Sequence, residues 1–241
     1  MESAIFLDHH STTPIAPSVL SAMMPYLTNS FGNASSVHKF GQEARRAVEK
    51  ARMQVAKLIG ASPREIIFTS GATESDNLAI KGIAERYHRQ GNHIITTKIE
   101  HSAILDTCHS LEKSGFEITY LPVDQYGMVD PEQVASAIKP STILISIIYA
   151  SNEVGTINPV AEIGQMACQK GILFHSDAVQ AIGKIDVNVE RLKIDLMSLT
   201  AHKMYGPKGI GALYIRQTKP KIRLKPQNYG TPCGYHLVEP G

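Results

Sequence analysis

Residues 65–77 read Glu-Ile-Ile-Phe-Thr-Ser-Gly-Ala-Thr-Glu-Ser-Asp-Asn, and this segment indicates the fold class. The run 66–69 has the β-branched and aromatic residues of a short buried strand. A glycine turn at Gly71 follows at once, and the residues after it predict a helix over 73–89. A strand that passes directly into a helix is the repeating unit of a parallel α/β sheet.

The same alternation of strand and helix extends to both sides of this stretch. Strands are predicted at 66–69, 94–97, 118–121, 143–149, 172–175, 196–200 and 212–215. Helices are predicted at 41–59, 73–89, 102–113, 131–138 and 160–170. We therefore predict a three-layer α/β fold, in which helices flank a mainly parallel, seven-stranded sheet.

The composition indicates a globular chain with balanced charge. Its 241 residues include 24 basic and 22 acidic ones, for a net charge of +2, and 43% are hydrophobic. This balance allows a buried core and argues against an electrostatic nucleic-acid binder. No apolar run approaches the roughly 18 residues of a membrane span, and the first residues lack the pattern of a signal peptide. We expect a cytoplasmic protein that binds neither nucleic acid nor membrane.

The cysteines indicate a reducing compartment. Cys108, Cys168 and Cys233 are odd in number and have no C-x-x-C spacing, so neither a disulfide framework nor a zinc site is predicted. Cys108 and Cys168 fall within predicted helices, where we expect both to be packed in the interior.

Polar residues follow five of the predicted strands at the point where each strand ends. Ligands of open α/β sheets bind at the carboxyl ends of the strands, so these residues should meet at one edge. They are residues 70–77 after the first strand, Glu100 and His101 after the second, Asn152 and Glu153 after the fourth, Asp177 and Gln180 after the fifth, and His202 and Lys203 after the sixth. The sequence therefore predicts one polar site built from five loops.

Most of these residues also have a simpler explanation when taken alone. Thr73 with Asp76 resembles a capping box, and Asp177 could be the N-cap of the segment that follows it. His101 could be an ordinary surface or packed histidine. Lys203 is harder to explain in this way, because a lysine after an apolar strand is costly to bury unless its charge is lost or paired.

Three other kinds of site are disfavoured by spacing. The glycine turn lacks the Gly-Lys-Ser/Thr of a Walker loop, and the glycine-rich stretch 206–211 precedes a strand instead of opening a helix, against a dinucleotide fingerprint. His175, Asp177 and His202 resemble a two-histidine, one-carboxylate iron site. That geometry uses antiparallel barrel strands, and His175 should point to the opposite side of its strand from Ser176. We therefore expect no metal.

Pyridoxal phosphate is the one cofactor that uses all these residue types together. It needs a lysine for a Schiff base, an acid beside its pyridinium nitrogen and an anion site for its phosphate. Lys203, Asp177 and the helix start after Gly71 are candidates for these three tasks. Gln180 could donate a hydrogen bond to the phenolic oxygen, and His101 could stack on the ring.

Specific motifs occur in a fixed order from residue 6 to about residue 216. They are Phe-Leu-Asp at 6–8, Ser-Thr-Thr-Pro at 11–14, Phe-Gly-Asn-Ala-Ser-Ser-Val-His at 31–38, the stretch 70–77, Glu-His at 100–101, Asn-Glu-Val-Gly at 152–155, His-Ser-Asp-Ala-Val-Gln at 175–180 and Ala-His-Lys-Met-Tyr-Gly-Pro-Lys-Gly at 201–209. In this order the chain resembles the cysteine desulfurases of the class V aminotransferase superfamily, which are fold-type I pyridoxal phosphate enzymes.

The resemblance implies a role for each site residue. Lys203 is implied to be the Schiff-base lysine, Asp177 the partner of the pyridinium nitrogen and Gln180 the donor to the phenolate oxygen. His101 is implied to stack on the ring and to act as an acid or base, and Asn152 to lie near the ring and the substrate carboxylate. Thr73, Thr200 and His202 are implied to bind the cofactor phosphate, and Ala72 is implied to contact the cofactor.

The resemblance also implies an activity and partners. Enzymes of this kind take sulfur from L-cysteine, leave L-alanine and pass the sulfur through a protein cysteine thiolate, because the neutral thiol is a poor nucleophile. The sulfur serves the assembly of iron–sulfur clusters or thiocofactors. A homodimer and a sulfur-acceptor scaffold protein are the implied partners.

The resemblance ends near Pro226. We predict a cofactor-binding large domain over 1–216, with an N-terminal arm at 1–30, and a divergent tail over 217–241 that lacks the strand–helix alternation. The family's small second domain, which carries the nucleophilic cysteine, is expected to be largely missing, and nothing places Cys233 over the cofactor. Three interpretations stay open: a desulfurase domain that delivers sulfur poorly alone, another class V activity such as transamination or β-elimination, and a non-catalytic chain that binds a full-length desulfurase.

Overall fold

A computed structural model describes residues 5–218 and 221–228 of the chain. The strands within these residues are β1 (Ile66–Thr69), β2 (His93–Thr97), β3 (Glu117–Leu121), β4 (Thr142–Ser146), β5 (Leu173–Asp177), β6 (Leu196–Thr200) and β7 (Gly211–Ile215). The helices are α1 (Pro17–Thr28), α2 (Lys39–Ile59), α3 (Ala72–Tyr87), α4 (Ser102–Glu112), α5 (Pro131–Ala137) and α6 (Val160–Lys170).

All seven strands form one sheet, in the order β1-β7-β6-β5-β4-β2-β3. Strands β2 to β6 pair in parallel, whereas β7 runs antiparallel to both of its neighbours, β1 and β6. Because the parallel strands share one direction, the loops that follow them lie along the same edge. This arrangement confirms the predicted α/β class and the mainly parallel sheet.

Two apolar clusters cover the two faces of the sheet. Neighbouring residues of a strand enter different clusters: Ile94 packs with α3 and α4, and Ile95 packs with α2, α5 and α6. Leu144 and Ile145 divide in the same way, as the two-residue period of a strand requires. Helices therefore cover both faces, which confirms the three-layer arrangement.

Close backbone contacts fix the turn that begins α3. A Cβ atom on Gly211, at the start of β7, would lie 2.7 Å from backbone atoms of Gly71 and 2.7 Å from the carbonyl oxygen of Leu199. Glycine is therefore the residue that lets β7 approach the β1–α3 turn. Gly206 has a similar role after β6, where a Cβ would lie 2.7 Å from that of Ala201. Both contacts hold loops that border the candidate site.

Apart from shifts of one or two residues at the ends of elements, the structure differs from the sequence predictions at three places. α1 was not predicted, and the strand predicted over 143–149 ends at Ser146. The prediction that Cys168 is packed in the interior is wrong, because α6 buries Ile163 and Ala167 while Cys168 faces solvent. Cys108 is buried in α4, as predicted.

Part of the predicted tail lies beyond the described residues, including Cys233. Within residues 221–228, Ile222 and Leu224 are buried against the α3 and α4 side of the sheet. The backbone N–H of Lys225 donates a hydrogen bond to the carbonyl oxygen of Gly82 at 3.0 Å. The division at residue 216 stays a prediction. None of the described helices is long and apolar enough to cross a membrane.

Candidate active site

A cavity of ≈ 620 Å³ lies at the edge of the sheet where the parallel strands end. Its lining includes residues that close β5 and β6, the loops after β2 and β4, the start of α3 and the N-terminal segment 10–12. The predicted site residues in this lining are Ala72, Thr73, His101, Asn152, Asp177, Gln180, Thr200, His202 and Lys203. All nine therefore lie around one cavity.

One end of the cavity is formed by the first turn of α3. The N-cap is Gly71, which has no side chain with which to cap the helix, and the first helical hydrogen bond is from Ser75 N–H to the Gly71 carbonyl oxygen at 3.1 Å. The N–H groups of the two residues after Gly71 thus precede the helical ladder, and the helix dipole favours an anion there. The capping-box alternative is wrong, because Asp76 is buried within α3 and makes no cap.

Thr200 and His202 line the same cavity at and after the end of β6, and a Cβ on Gly71 would lie 4.0 Å from the Thr200 hydroxyl oxygen. The Thr200 hydroxyl donates a hydrogen bond to the carbonyl oxygen of Ile210 at 3.3 Å, and His202 Nδ1 lies 3.2 Å from the hydroxyl of Thr12. Burial lowers the pKa of His202, and the positive charges of Lys203 and Lys208 lower it further. Hydroxyl, imidazole and backbone N–H groups together form a donor set suited to a phosphate.

Lys203 ends the short 3₁₀ turn Ala201–Lys203 that follows β6. Its amine donates hydrogen bonds to the carbonyl oxygens of His10 and Ser11, the second at 2.8 Å. Burial lowers the pKa of this amine and the charge of Lys184 lowers it further, whereas Asp177 raises it. A lysine with a lowered pKa is a better nucleophile at neutral pH than an ordinary one.

Asp177 is the last residue of β5 and is only 4% exposed. Its Oδ1 accepts a hydrogen bond from the Val179 N–H at 2.9 Å, so the residue does cap the backbone that follows, although no helix begins there. Burial raises the pKa of Asp177, while the Val179 hydrogen bond and the nearby His101 and Lys203 act in the opposite direction. A cationic ligand group would therefore be stabilised beside this carboxyl.

Gln180 and His101 have defined orientations in the lining. Gln180 donates a hydrogen bond from Nε2 to the His10 carbonyl oxygen at 2.8 Å, and its Oε1 accepts one from Lys184. His101 is the N-cap of α4, and its Nδ1 accepts a hydrogen bond from the Ala103 N–H at 3.1 Å. That hydrogen bond leaves the ring proton of a neutral His101 on Nε2.

Asn152 lies in the loop after β4. Its amide donates a hydrogen bond to the Glu153 carboxylate at 2.6 Å, and both residues line the cavity. The predicted site is thus assembled by the loops that the sequence indicated.

Sequence reasoning missed two features of the site. Segment 10–12 folds across the Lys203 loop, where the Thr13 N–H donates to the carbonyl oxygen of His202 at 2.8 Å. A group of buried acids lies behind Asp177, formed by Asp76 and Glu100. The motif Ser-Thr-Thr-Pro at 11–14 was a signal for the first feature, but the burial of Asp76 depends on contacts between distant residues.

His175 does not face the cavity. It is fully buried on β5, where Nδ1 lies 2.9 Å from the Ser146 hydroxyl and Nε2 3.1 Å from the Ser198 hydroxyl, while Ser176 on the other side bonds to Ile147. Over the described part of the chain, no group of three or more His, Cys, Asp or Glu side chains is arranged to hold a metal ion.

The sequence matches the model of the family described as aminotransferase class-V over residues 5–233. The chain belongs to the class V aminotransferase family. Among its relatives, cysteine desulfurase IscS of Anaeromyxobacter dehalogenans is 55% identical over 225 residues, which are 93% of this chain and 55% of that protein. Cysteine desulfurase IscS of Dictyoglomus turgidum is 56% identical over 217 residues, which are 90% of this chain and 55% of that protein.

Solved structures share the fold of this class V family member. A NifS-like protein superposes with a TM-score of 0.94 at 41% identity, covering 99% of this chain and 65% of the other. SspA in complex with cysteine superposes with a TM-score of 0.88 at 43% identity, covering 91% of this chain and 64% of the other. The fold is therefore that of the large domain of fold-type I enzymes. The chain spans about half the length of the curated relatives it matches.

Class V aminotransferases use pyridoxal 5'-phosphate, and the residues of this cavity fit that cofactor. The uncapped first turn of α3 can accept the phosphate, the buried carboxyl of Asp177 can accept a hydrogen bond from a protonated ring nitrogen, and the Lys203 amine borders the same space. Gln180 lines the same cavity and carries an amide that can donate hydrogen bonds. Every group that the cofactor requires has a chemically suitable partner in the lining.

Proposed function

We propose that this chain is the cofactor-binding part of a cysteine desulfurase, which takes sulfur from L-cysteine and leaves L-alanine. One observation carries the proposal: Lys203, Asp177 and the uncapped first turn of α3 border a single cavity. The relatives named cysteine desulfurase, at 55% and 56% identity, support the choice of this activity within the class V family. The sulfur would serve the assembly of iron–sulfur clusters or thiocofactors.

Each side chain has a proposed task in holding the cofactor. Lys203 supplies the amine that joins it covalently, and Asp177 accepts a hydrogen bond from its ring nitrogen. Gln180 donates to the phenolic oxygen, and Asn152 lies near the ring and the substrate carboxylate. Thr73, Thr200 and His202 bind its phosphate, and Ala72 contacts the cofactor beside them. When bound, the cofactor supplies an electron-accepting ring that stabilises negative charge on the substrate.

His101 is proposed to stack on the ring and to move protons during the reaction. Its Nδ1 is engaged by the Ala103 N–H, so proton exchange with a substrate takes place at Nε2. The net change on cysteine is cleavage of its carbon–sulfur bond. A proton replaces sulfur on the β-carbon, and the sulfur forms a persulfide with an acceptor thiolate.

The acceptor thiolate is proposed to come from outside the described residues. Within them, neither Cys108 nor Cys168 lines the cavity. Burial raises the pKa of the Cys108 thiol to about 12, which keeps it protonated at neutral pH. A partner that accepts sulfur, such as a scaffold protein, would receive the persulfide in a later step.

A homodimer in the cytoplasm is the proposed state of the protein. Helix α1 buries none of its residues within the described chain, and Leu20, Met24 and Leu27 expose an apolar stripe along it. A stripe of this kind is typical of a surface that another chain covers. Cys108 and Cys168 are both free thiols, which supports a reducing compartment.

The experiment is to supply the chain with pyridoxal phosphate, L-cysteine and a small external thiol that can accept sulfur. Alanine and sulfide in equal amounts are expected, and both should be lost in Lys203→Ala. Pyruvate without alanine would contradict the proposal in favour of β-elimination. A cofactor-loaded chain that yields neither product would also contradict it and favour a non-catalytic binding role.

A further inference from the structure

Three buried carboxyl groups lie within electrostatic range of one another behind the cavity, and we call Asp76, Glu100 and Asp177 the acid cluster. Asp76 lies on α3, Glu100 follows β2, and Asp177 ends β5. Their exposed fractions are 0%, 5% and 4%. Of the three, only Asp177 lines the cavity. The other two have no direct part in the proposed chemistry.

Asp76 is the unusual member of the cluster. Within the described chain neither of its carboxyl oxygens has a hydrogen-bond partner, although both are fully buried. The Ser198 hydroxyl lies near enough to lower the pKa of Asp76 as a weak donor, although it does not reach the geometry of a full hydrogen bond. His175 Nε2 lies 3.6 Å from Oδ1, which is beyond hydrogen-bonding distance. A buried carboxylate with one weak donor is costly, because the desolvation of its charge is not offset.

Glu100 is only partly satisfied. Its Oε1 accepts hydrogen bonds from the Ile148 N–H at 2.9 Å and from the Thr97 hydroxyl at 2.8 Å. Its buried Oε2 has no partner among the residues that the structure describes. The free oxygen is where a carboxyl proton would reside.

The groups that face the cluster do not supply enough positive charge for three carboxylates. His175 on β5 is held between the hydroxyls of Ser146 on β4 and Ser198 on β6, and burial lowers its pKa to about 3, so it is neutral. Lys203 and His101 lie on the cavity side, where they act on Asp177. The surroundings therefore favour one negative charge, placed at Asp177.

We propose that Asp76 and Glu100 are neutral carboxylic acids in this protein, and that Asp76 is a positioning residue that confines the negative charge of the cluster to Asp177. Burial and the charge of Asp177 both raise the pKa of Asp76, and burial raises that of Glu100 to about 8, in agreement with the geometry. The functional part rests on the proposed role of Asp177, because a confined charge there would hold the cofactor ring nitrogen protonated.

Infrared difference spectroscopy of the cofactor-free chain at neutral pH tests the protonation states. Asp76→Asn and Glu100→Gln should each remove one band of a protonated carboxyl group, with no loss of carboxylate bands. Asp106→Asn, at an exposed position on α4, is the matched control and should remove carboxylate bands only. Loss of carboxylate bands in Asp76→Asn would overturn the proposal. The result does not depend on cofactor binding.

Titration with pyridoxal phosphate, followed by its absorption, tests the positioning role. Asp76→Asn is expected to bind within about threefold of the wild type, because an amide is neutral and polar, like the protonated acid that it replaces. Asp76→Leu should weaken binding about tenfold and shift the pH dependence of the absorption, since an apolar neighbour makes the charge on Asp177 more costly. Equal weakening in both Asp76 variants would overturn the role. An unchanged affinity for pyridoxal phosphate in Asp177→Asn would instead overturn the proposed function, while the infrared result would stand.

Discussion

Lys184 donates a hydrogen bond from its amine to Oε1 of Gln180, four residues earlier in the chain. The same amide donates from Nε2 to the carbonyl oxygen of His10, so the pair fixes which end of the Gln180 side chain faces segment 10–12. The charge of Lys184 also lowers the pKa of Lys203. Lys184 thus orients one proposed cofactor contact and tunes another, although it does not line the cavity.

We expect Lys184→Met to raise the pKa of the Lys203 amine and to weaken cofactor binding about fivefold, the equivalent of one ordinary hydrogen bond. The pH dependence of cofactor capture at Lys203 measures the first effect, and equilibrium titration measures the second. Lys170→Met, at the end of α6, is a matched removal of one positive charge and should change neither quantity. Unchanged capture and affinity in Lys184→Met would contradict this role.

Glu100 makes the stability of the chain depend on pH. Its pKa is about 8 in the folded protein and about 4.5 in the unfolded chain, so unfolding releases its proton between these values. The free energy of unfolding should therefore fall as pH rises from 4.5 to 8, by about 1.4 kcal/mol per pH unit at most. The raised pKa of Asp76 acts in the same direction.

The window between pH 6.5 and 8 separates this effect from that of His175. His175 has a pKa of about 3 when folded and 6.5 when unfolded, so its contribution to stability is lost as pH falls from 6.5 to 3 and is constant above 6.5. Denaturant unfolding of Glu100→Gln should show a flatter slope in the window than the wild type. Glu112→Gln, at an exposed position in α4, should keep the wild-type slope. The same slope in all three proteins would refute a neutral Glu100.

The tight approach of β7 to the β1–α3 turn predicts a contrast between two glycines. Gly211→Ala should destabilise the fold by about 1–3 kcal/mol, because its methyl group would lie 2.7 Å from backbone atoms of Gly71 and Leu199. Gly71→Ala should leave the free energy of unfolding nearly unchanged, since its Cβ would come no closer than 4.0 Å to Thr200 Oγ1. Thermal or denaturant unfolding compares the two, and equal effects would contradict the packing described.

The apolar stripe of α1 predicts self-association. Replacing Leu20 and Leu27 by Glu should lower the mass measured by light scattering from that of a dimer to that of a monomer, because a charge is costly to bury at an apolar interface. Ser18 and Ser21 lie on the same helix outside the stripe, and the corresponding Glu substitutions should leave the mass unchanged. A wild-type chain that is monomeric at high concentration would contradict the proposed homodimer.

Much of the fold could be predicted from the sequence, because buried strands and amphipathic helices have short-range signatures. β1 and β6 lie at the predicted residues, and the other strand bounds differ by one to three residues. The order of the strands could not be predicted in this way. The position of β7 between β1 and β6 depends on pairings such as Phe68 with Ala212, which are distant in the chain.

Helix α1 was missed because its apolar residues do not pack on the core. The strong signature of α2 and α3 is a face that is buried within the chain, whereas Leu20 and Leu27 of α1 are exposed. In the candidate site, too, residues with a local sequence signal could be predicted, whereas those that depend on distant contacts could not. Lys203 and Asp177 follow strands and were found, but the burial of Asp76 requires contacts between α3, β5 and β6 that no local pattern reveals.

The most direct test of the proposed cofactor site is to find which lysine carries the cofactor. Borohydride reduction of the chain loaded with pyridoxal phosphate, followed by peptide mass mapping, identifies that residue. We expect one modified site, at Lys203, whose yield at limiting cofactor falls in Asp177→Asn. Modification at Lys184 or Lys208 instead, or at no lysine, would contradict the assignment of this cavity as the cofactor site.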